Sequence, residues 1–214
     1  MNVVQRSRRS ARVVRTAATI FAGYRWRAWR SRRLARDDAE RRLSAYHRHS
    51  AQRVLKAATE LQGLMIKVGQ MIGARADIFP DEYVEVLSQL HDTVPPRPYS
   101  VVRSAIEREL GAPVEQLFAE LSPVPIAAAS LAQVHRGRLR DGRDVAVKVQ
   151  YPEIEEIVRV DLQNIRLLAN MAGRVLRDFD FTAIVDELST NVPLELDFLH
   201  EGKNAEAMAR NFAG

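Results

Sequence analysis

The sequence predicts an α+β protein in which a helical N-terminal extension precedes a short antiparallel sheet. Apolar residues recur at helical spacing from residue 43 to about residue 90, and again from residue 154 to about residue 175. Between these stretches, residues 131–139 and 145–150 resemble two strands, and Asp141-Gly142 between them is typical of a hairpin turn. A chain of 214 residues has room for one domain with a core.

The composition is that of a globular chain whose positive charge is concentrated at one end. Hydrophobic residues make up 46% of the chain and charged residues 28%. There is no cysteine, which excludes disulfide and thiol chemistry. Of 32 basic residues, eleven are arginines within residues 1–36, which hold no acidic residue. The other 21 face all 27 acidic residues, a net charge of −6. His47 and His49 point to different helix faces, which argues against a metal site.

The basic arm is the segment of residues 1–42. It carries an apolar stripe at helical spacing, made of Val13, Ala17, Ile20, Phe21, Tyr24 and Ala28. Its longest uncharged run, residues 16–24, is too short to span a bilayer, and we expect no secretory signal. Three interpretations of residues 1–36 stay open: a helix on an anionic membrane surface, a solvated and partly disordered tail, or a nucleic-acid arm, the least favoured. An organellar targeting peptide would look similar.

The extension, residues 43–122, is expected to be mostly helical. Lys67 and Gln70 lie three positions apart and therefore share one side of a helix, and Gly69 between them permits close approach of another backbone or a ligand. The proline-rich residues 94–98 predict a rigid linker. A helix with Ser100 as its N-cap and Gly111 at its end should follow, and then a short helix over residues 117–121.

The third segment, residues 123–214, has Lys148 on an apolar strand, with the small-residue loop Ala127-Ala128-Ala129-Ser130 upstream. A small-residue loop, a strand, a turn and a strand bearing a lysine are the parts of a kinase-type nucleotide cradle. In such a cradle loop amides approach the phosphates and the ammonium contacts phosphate oxygens. Taken alone, the same residues also fit a solvent-facing lysine and a turn chosen for packing.

Helices are expected to complete this segment. The first covers residues 154–175, and residues 178–181 are interpreted as a helix breaker and cap. A single helix over residues 182–199 should then carry an acidic motif that includes Glu195 and Asp197.

Four motifs, in this order along the chain, resemble those of the UbiB-like (AarF-type) atypical kinase family. They are residues 67–70 (KVGQ), 125–135 (PIAAASLAQVH), 145–150 (VAVKVQ) and 195–198 (ELDF), the last followed by Glu201 and Asn204. The resemblance covers the chain from Leu43 to its C-terminus. It implies a protein-kinase-like small lobe preceded by the helical extension.

The resemblance also implies roles for individual residues. ATP or ADP would bind at Ala127, Ala128, Ala129, Ser130 and Lys148. Glu195 would supply the anion that a buried lysine needs, with Glu155 and Glu156 as alternatives. The helix bearing Lys67 and Gln70 would cover the nucleotide site and restrict access to it, and Glu201 could face Lys67. Lys67, Gln70, Asp197 and Glu201 are therefore expected to be regulatory.

The catalytic loop and the Asp-Phe-Gly motif of the large lobe are absent from this sequence, so the ligands of Mg²⁺ are expected outside it. Whether this chain is itself an enzyme is therefore left open. The resemblance implies the N-terminal part of an atypical kinase or ATPase that supports isoprenoid-quinone biosynthesis or membrane lipid metabolism. It would be cytoplasmic and peripheral on the inner face of a membrane, with quinone-biosynthesis proteins or lipids as partners. A catalytically inactive nucleotide-binding or scaffolding fragment, and a nucleic-acid-binding protein built on the basic tail, are the alternatives.

Overall fold

The computed structural model describes residues 1–31, 35–92, 94–173 and 181–212. Helices precede and follow a three-stranded sheet, which confirms the predicted α+β class. In chain order the elements are α1 (Val3–Ser31), α2 (Arg36–Leu61), α3 (Leu64–Gly73), α4 (Asp81–Leu87), α5 (Gln89–Asp92), α6 (Tyr99–Leu110), α7 (Val114–Leu117), β1 (Phe118–Ala128), β2 (Ala132–Leu139), β3 (Asp144–Gln150), α8 (Ile154–Gly173), α9 (Phe181–Glu195) and α10 (Phe198–Asn211).

The chain divides into two compact units, residues 1–154 and residues 155–214, and each is described by itself. The predicted breaker at residues 178–180 lies outside the described residues. The three proposed segments of the sequence follow no boundary of these units, because the arm, the extension and the sheet all belong to the first unit.

The basic arm is a long helix, Val3–Ser31, packed on α2, and the interpretations of its role stay predictions. The Tyr46 hydroxyl donates a hydrogen bond of 2.9 Å to the carbonyl of Ile20, and it passes the helix where Gly23 has no side chain. Arg9 donates to the carbonyls of Leu61 and Gln62, at 2.6 and 3.0 Å, where the end of α2 leaves acceptors without helical partners.

Helices α2 to α5 form one apolar core around Ala58, Ile66, Leu87 and Leu90, all at least nine-tenths buried. Glycine permits the close packing of α3 in this core. A Cβ on Gly73 would lie 2.7 Å from the backbone nitrogen of Ser88 and 2.8 Å from the carbonyl carbon of Leu87. The last turn of α3 therefore contacts the backbone that joins α4 to α5.

The sheet is antiparallel in the order β1-β2-β3. One of its faces packs on α6 and α7 around a core that includes Val102, Ile106, Phe118 and Val149. The predicted hairpin is confirmed, since Gly142 has φ +90° and its N–H donates 3.0 Å to the carbonyl of Leu139.

Three boundary predictions around α6 and α7 have different outcomes. Gly111 ends α6 in the left-handed conformation, with φ +69°, as predicted. Ser100 is not the N-cap: the helix begins at Tyr99, two residues earlier than expected, and its N-cap residue Pro98 provides no side-chain cap. The short helix predicted over residues 117–121 is also misplaced. Residues 114–117 form it instead, because Phe118 is already paired with Leu139 in the sheet.

The second unit contains most of α8 together with α9 and α10. The single helix predicted over residues 182–199 is wrong, since α9 ends at Glu195 and α10 starts at Phe198. The Asp197 carboxylate accepts a hydrogen bond of 2.9 Å from the backbone N–H of His200 and so caps α10. A cap of this kind starts a new helix, and Pro193 weakens the last turn of α9 because it offers no N–H to the carbonyl four residues earlier.

Candidate functional site

Lys148 lies on the face of the sheet opposite α6 and α7. It pairs directly with Val134 of β2, so these two side chains share a face, and Ala146 lies two residues before Lys148 on the same face. Lys148 and Ala146 are exposed and Val134 is half-buried, whereas Val149 points into the core. The site therefore presents a small apolar surface beside a lysine, which suits a flat ring and an anionic group.

The small-residue segment at the tip of the β1–β2 hairpin is more ordered than a free loop. Ala127 and Ala128 are the last residues of β1, paired with Val134 and Gln133. The N–H of Ala129 donates 2.8 Å to the carbonyl of Ala132 and closes the hairpin, and Ser130 at the turn is buried. The Ala129 amide is therefore used within the hairpin.

Behind the tip lie two buried polar side chains that sequence reasoning did not single out, Gln133 and His135. Both are on β2 and face the helices, with 1% and 0% of their surface exposed. The signal was present in the sequence, because polar residues alternate with small and apolar ones over residues 132–135. A buried polar side chain must find hydrogen-bond partners.

The helix bearing Lys67 and Gln70 is α3. The Gln70 side-chain amide donates 2.8 Å to the carbonyl of Leu90, which ties α3 to α5. Gly69 is buried, and a Cβ there would lie 2.3 Å from Leu90 Cδ1. The side chain of Leu90 therefore packs closely against Gly69. The close packing at the neighbouring Gly73 was not predicted from the sequence. Lys67 is half-buried on the same helix.

The acidic motif belongs to the second unit. Glu195 is exposed at the end of α9, and Asp197 caps α10, in which Glu201 occupies the first turn. The expected pairs of Glu195 with Lys148 and of Glu201 with Lys67 both join the two units, and both stay predictions.

The outer face of α1 carries exposed apolar side chains among arginines. Of the predicted stripe, Tyr24 contacts Tyr46 of α2 and Val13 is buried, whereas Val14, Phe21, Trp26 and Trp29 are between 37% and 66% exposed. Val14 and Phe21 are seven residues apart and share a face. The guanidinium groups of Arg27 and Arg30 lie 5.8 and 5.2 Å from the Trp26 ring centroid.

Within the described residues, no three histidine or acidic side chains gather where they could hold a metal ion. In the same part of the chain no helix combines the length and the apolar character needed to cross a bilayer.

Comparison with known proteins gave consistent matches. Residues 89–214, more than half of the chain, match the ABC1 atypical kinase-like domain. The chain is 39% identical over 201 residues to AarF domain-containing protein kinase 1 of Mus musculus, covering 94% of this chain and 38% of the relative. It is 36% identical over 212 residues to AarF domain-containing kinase 1 of Drosophila melanogaster, covering 99% of this chain and 40% of the relative.

A plant relative and a solved structure are also similar. The chain is 43% identical over 152 residues to the chloroplastic protein ACTIVITY OF BC1 COMPLEX KINASE 8 of Arabidopsis thaliana, covering 69% of this chain and 20% of the relative. A solved structure of an Rv3197–erythromycin complex from Mycobacterium tuberculosis shows 32% identity and a TM-score of 0.45, covering 83% of this chain and 45% of that one. The chain thus spans about two fifths of the length of the animal relatives.

Proposed function

Because the chain belongs to the ABC1 (AarF-type) atypical kinase family, we propose that it is the small-lobe part of an atypical kinase or ATPase and binds an adenine nucleotide on the open face of its sheet. The observation that carries the proposal is the placement of Lys148 beside Ala146 and Val134 on that face, while the other face is packed. The adenine ring would lie on the small apolar residues, and the ammonium would contact phosphate oxygens.

The remaining site residues follow from the same proposal. The turn at Ser130 would approach the phosphates, and Ala127 and Ala128 would hold the turn at the end of β1. Glu195 would pair with Lys148, and Lys67 with Gln70 would restrict access from α3. Magnesium would accompany the phosphates. The described residues bring no three suitable side chains together, so further ligands from the whole protein would hold it.

The biological role follows from the family resemblance: support of isoprenoid-quinone biosynthesis or membrane lipid metabolism, with quinone-biosynthesis proteins or lipids as partners. A nucleotide-binding or scaffolding part without catalysis is the alternative. The relatives are about two and a half times as long as this chain, so turnover is a property to be measured on the whole protein.

Nucleotide binding is testable on this chain by NMR, which detects weak binding residue by residue. Titration of the ¹⁵N-labelled chain with ADP and with ATP should shift the amides of residues 128–136 and 145–149. Lys148→Met should reduce the affinity by at least about tenfold, since it removes the cation that contacts phosphate. Lys56→Met is the matched control, because Lys56 is exposed on α2 and its ammonium lies 4.0 Å from Glu60.

The two variants decide the assignment only if both are folded, which their own spectra report. If wild type shows no shifts around β2 and β3 with either nucleotide, the proposed site is wrong. If Lys148→Met binds like Lys56→Met, a nucleotide binds but Lys148 does not hold it.

A second function is supported by the outer face of α1: contact with an anionic membrane surface, which would make the protein peripheral on the cytoplasmic side. Arg8, Arg15 and Arg25 are exposed there, and residues 1–31 hold no acid. Each arginine near an anionic surface contributes roughly 1 kcal/mol, weakened by salt. Insertion of Phe21 and Trp29 would add about 2 kcal/mol each, which salt does not screen.

The position of α1 on α2 changes which residues test this function. Ile20 is half-buried where the Tyr46 hydroxyl of α2 meets the backbone of α1, so Ile20→Ser would disturb the packing of α1 and not only lipid contact. The informative variant is Phe21→Ser with Trp29→Ser, both on the exposed face. It should co-sediment less with vesicles containing anionic lipid, at low and at high salt, while Arg15→Gln with Arg25→Gln should lose binding mainly at low salt.

Two results would contradict membrane contact through α1. If Phe21→Ser with Trp29→Ser sediments like wild type, the apolar side chains play no part and only a charged helix remains. If the chain instead binds DNA with steep salt dependence and without regard to Phe21, the arm is a nucleic-acid-binding segment.

A further inference from the structure

Two buried polar side chains connect the tip of the β1–β2 hairpin to the helical extension. Gln133 and His135 point toward α6 and the linker, on the opposite face of the sheet from Lys148, because Gln133 pairs with Val149 and His135 with Val147. Gln133 is 1% exposed and His135 is fully buried. Both side chains are polar, so their burial depends on hydrogen bonds, and the His135 ring also lies 5.9 Å from the Tyr99 ring of α6.

Gln133 is bonded to the linker much as one peptide group is bonded to another. Its Oε1 accepts from the backbone N–H of Arg97 at 2.9 Å, and its Nε2 lies 3.4 Å from the carbonyl oxygen of Arg97. The Arg97 N–H can only donate, so the oxygen of the Gln133 amide must face the linker. The amide nitrogen must then face His135.

This orientation determines the state of His135. The Gln133 Nε2 lies 2.8 Å from His135 Nε2 and can only donate, so His135 Nε2 accepts. The proton of a neutral imidazole is then on Nδ1, which donates 2.8 Å to the carbonyl of Ser122. Every polar atom of the pair therefore has a partner, and all the bonds have one consistent direction.

The carbonyl that His135 satisfies lies where β1 leaves the regular ladder. The register of β1 on β2 shifts between Leu121 and Pro125, across two prolines that offer no N–H. His135 thus holds β1 on β2 through its side chain just before the small-residue tip. Gln133, directly opposite Ala128, holds the other strand of the same tip to the linker.

The linker, residues 94–98, is in turn connected to the helices of the extension. The Gln70 amide binds the carbonyl of Leu90 in α5, and the Gln62 amide lies 3.4 Å from the carbonyl of Pro95. Side-chain-to-backbone bonds therefore join α3 to α5, the residue that ends α2 to the linker, and the linker to Gln133, which in turn binds His135.

We propose that Gln133 and His135 are positioning residues that fix the hairpin tip, Ala127–Ser130, relative to the linker and α3, so that the tip is held ready for the nucleotide phosphates. The nucleotide part rests on the function proposed above, whereas the positioning part is a statement about the tip alone. The helical extension would thereby influence nucleotide affinity through the linker without contacting the nucleotide.

The first test removes a single donor. Arg97→Pro deletes the N–H that binds Gln133 Oε1, within a run that is already proline-rich, while Arg97→Ala keeps the N–H and loses only the side chain over the Tyr151 ring. Hydrogen–deuterium exchange of the Ala129 amide, which closes the hairpin, is the readout. It should be at least about fivefold faster in Arg97→Pro than in Arg97→Ala, the change expected for one lost hydrogen bond.

A second pair of variants distinguishes a local effect on the tip from a general loss of stability. Gln133→Met keeps the size of the side chain but removes its amide. Val149→Ala removes two methyl groups on the same face of the sheet and leaves the hydrogen bonds in place. Exchange and binding are compared under conditions in which the two variants are equally stable. Gln133→Met should then speed exchange at Ala129 and weaken ADP binding about fivefold, and Val149→Ala should do neither.

The outcomes separate the two claims. Equal exchange at Ala129 in Gln133→Met and Val149→Ala would overturn the positioning role, whatever the nucleotide does. Faster exchange together with no ADP binding by wild type would support the positioning role and refute the nucleotide function. Faster exchange with unchanged ADP affinity would show that the tip is positioned but does not hold the phosphates, which overturns the link to the nucleotide.

Discussion

The contact of Gly73 with the α4–α5 connection gives a sharp test of how α3 is held. In Gly73→Ala the new Cβ would lie 2.7 Å from the Ser88 nitrogen and 2.8 Å from the Leu87 carbonyl carbon, both backbone atoms that cannot rotate away. Ordinary contact needs roughly 3.4 Å or more, so the helix and the connection must separate by roughly 0.7 Å. Overpacking of this kind costs about 2 kcal/mol.

The intrinsic helix preference of alanine offsets part of this cost. Replacing a helical glycine by alanine gains about 0.5–1 kcal/mol where space is free, so Gly73→Ala should destabilise the first unit by about 1–1.5 kcal/mol. With a urea m-value of about 2 kcal/mol/M, the unfolding midpoint should fall by about 0.6 M. Trp26 and Trp29 both belong to the first unit, so tryptophan fluorescence reports this transition.

Gly202→Ala is the control for the intrinsic effect. Gly202 is in α10, and a Cβ there meets nothing within 4 Å. This variant should leave the tryptophan-detected midpoint unchanged and increase the stability of its own unit. If the midpoint of Gly73→Ala is equal to or above that of wild type, α3 does not pack against the α4–α5 connection as described, and the placement of Gln70 at Leu90 would fail with it.

Three further predictions concern the same unit. Gly23→Ala would place a Cβ 1.8 Å from the Tyr46 hydroxyl oxygen, so trypsin should cleave α1 faster than in wild type; equal cleavage would mean that α1 is not held by Tyr46. Gln70→Leu should cost about 1 kcal/mol in urea unfolding, because the Leu90 carbonyl loses its donor; no change would leave Gln70 without a structural role. Hydrogen bonds from Ser44 and His47 lower the pKa of Glu82, so its stabilising effect is complete above pH about 4.5 and is lost as pH falls below that value. Glu82→Gln should therefore be less stable than wild type at pH 7 and lose less stability between pH 5 and 3; parallel pH profiles would contradict this.

Local patterns in the sequence sufficed for the elements whose signals lie within a few residues. The β2–β3 hairpin was predictable because Asp141-Gly142 meets the backbone requirement of the turn by itself, and the end of α6 because Gly111 tolerates positive φ. The position of Lys148 on a strand was predictable too. Once the strand is recognised, the alternation of side chains determines which face of the sheet each residue lies on.

One boundary prediction failed because a long-range partner decided it, and two failed because a competing local signal did. Phe118 joined the sheet and not a helix because Leu139, 21 positions later, pairs with it. The single helix predicted over residues 182–199 is divided because the Asp197 carboxylate caps α10. The spacing of apolar residues does not show such a cap. Proline at the start of α6 replaced the expected serine cap in the same way.

The sequence by itself determined the α+β class, the order of the motifs and the family, because these depend on residue types and their spacing along the chain. Only the tertiary structure decided that Tyr24 of α1 packs on Tyr46 of α2 while Phe21 stays exposed, since both residues lie in one apolar stripe and only the packing partner distinguishes them. It also decided that Gln133 and His135 join the linker to both strands of the hairpin. A buried hydrogen bond requires a partner within about 3 Å, and that partner can lie anywhere along the chain.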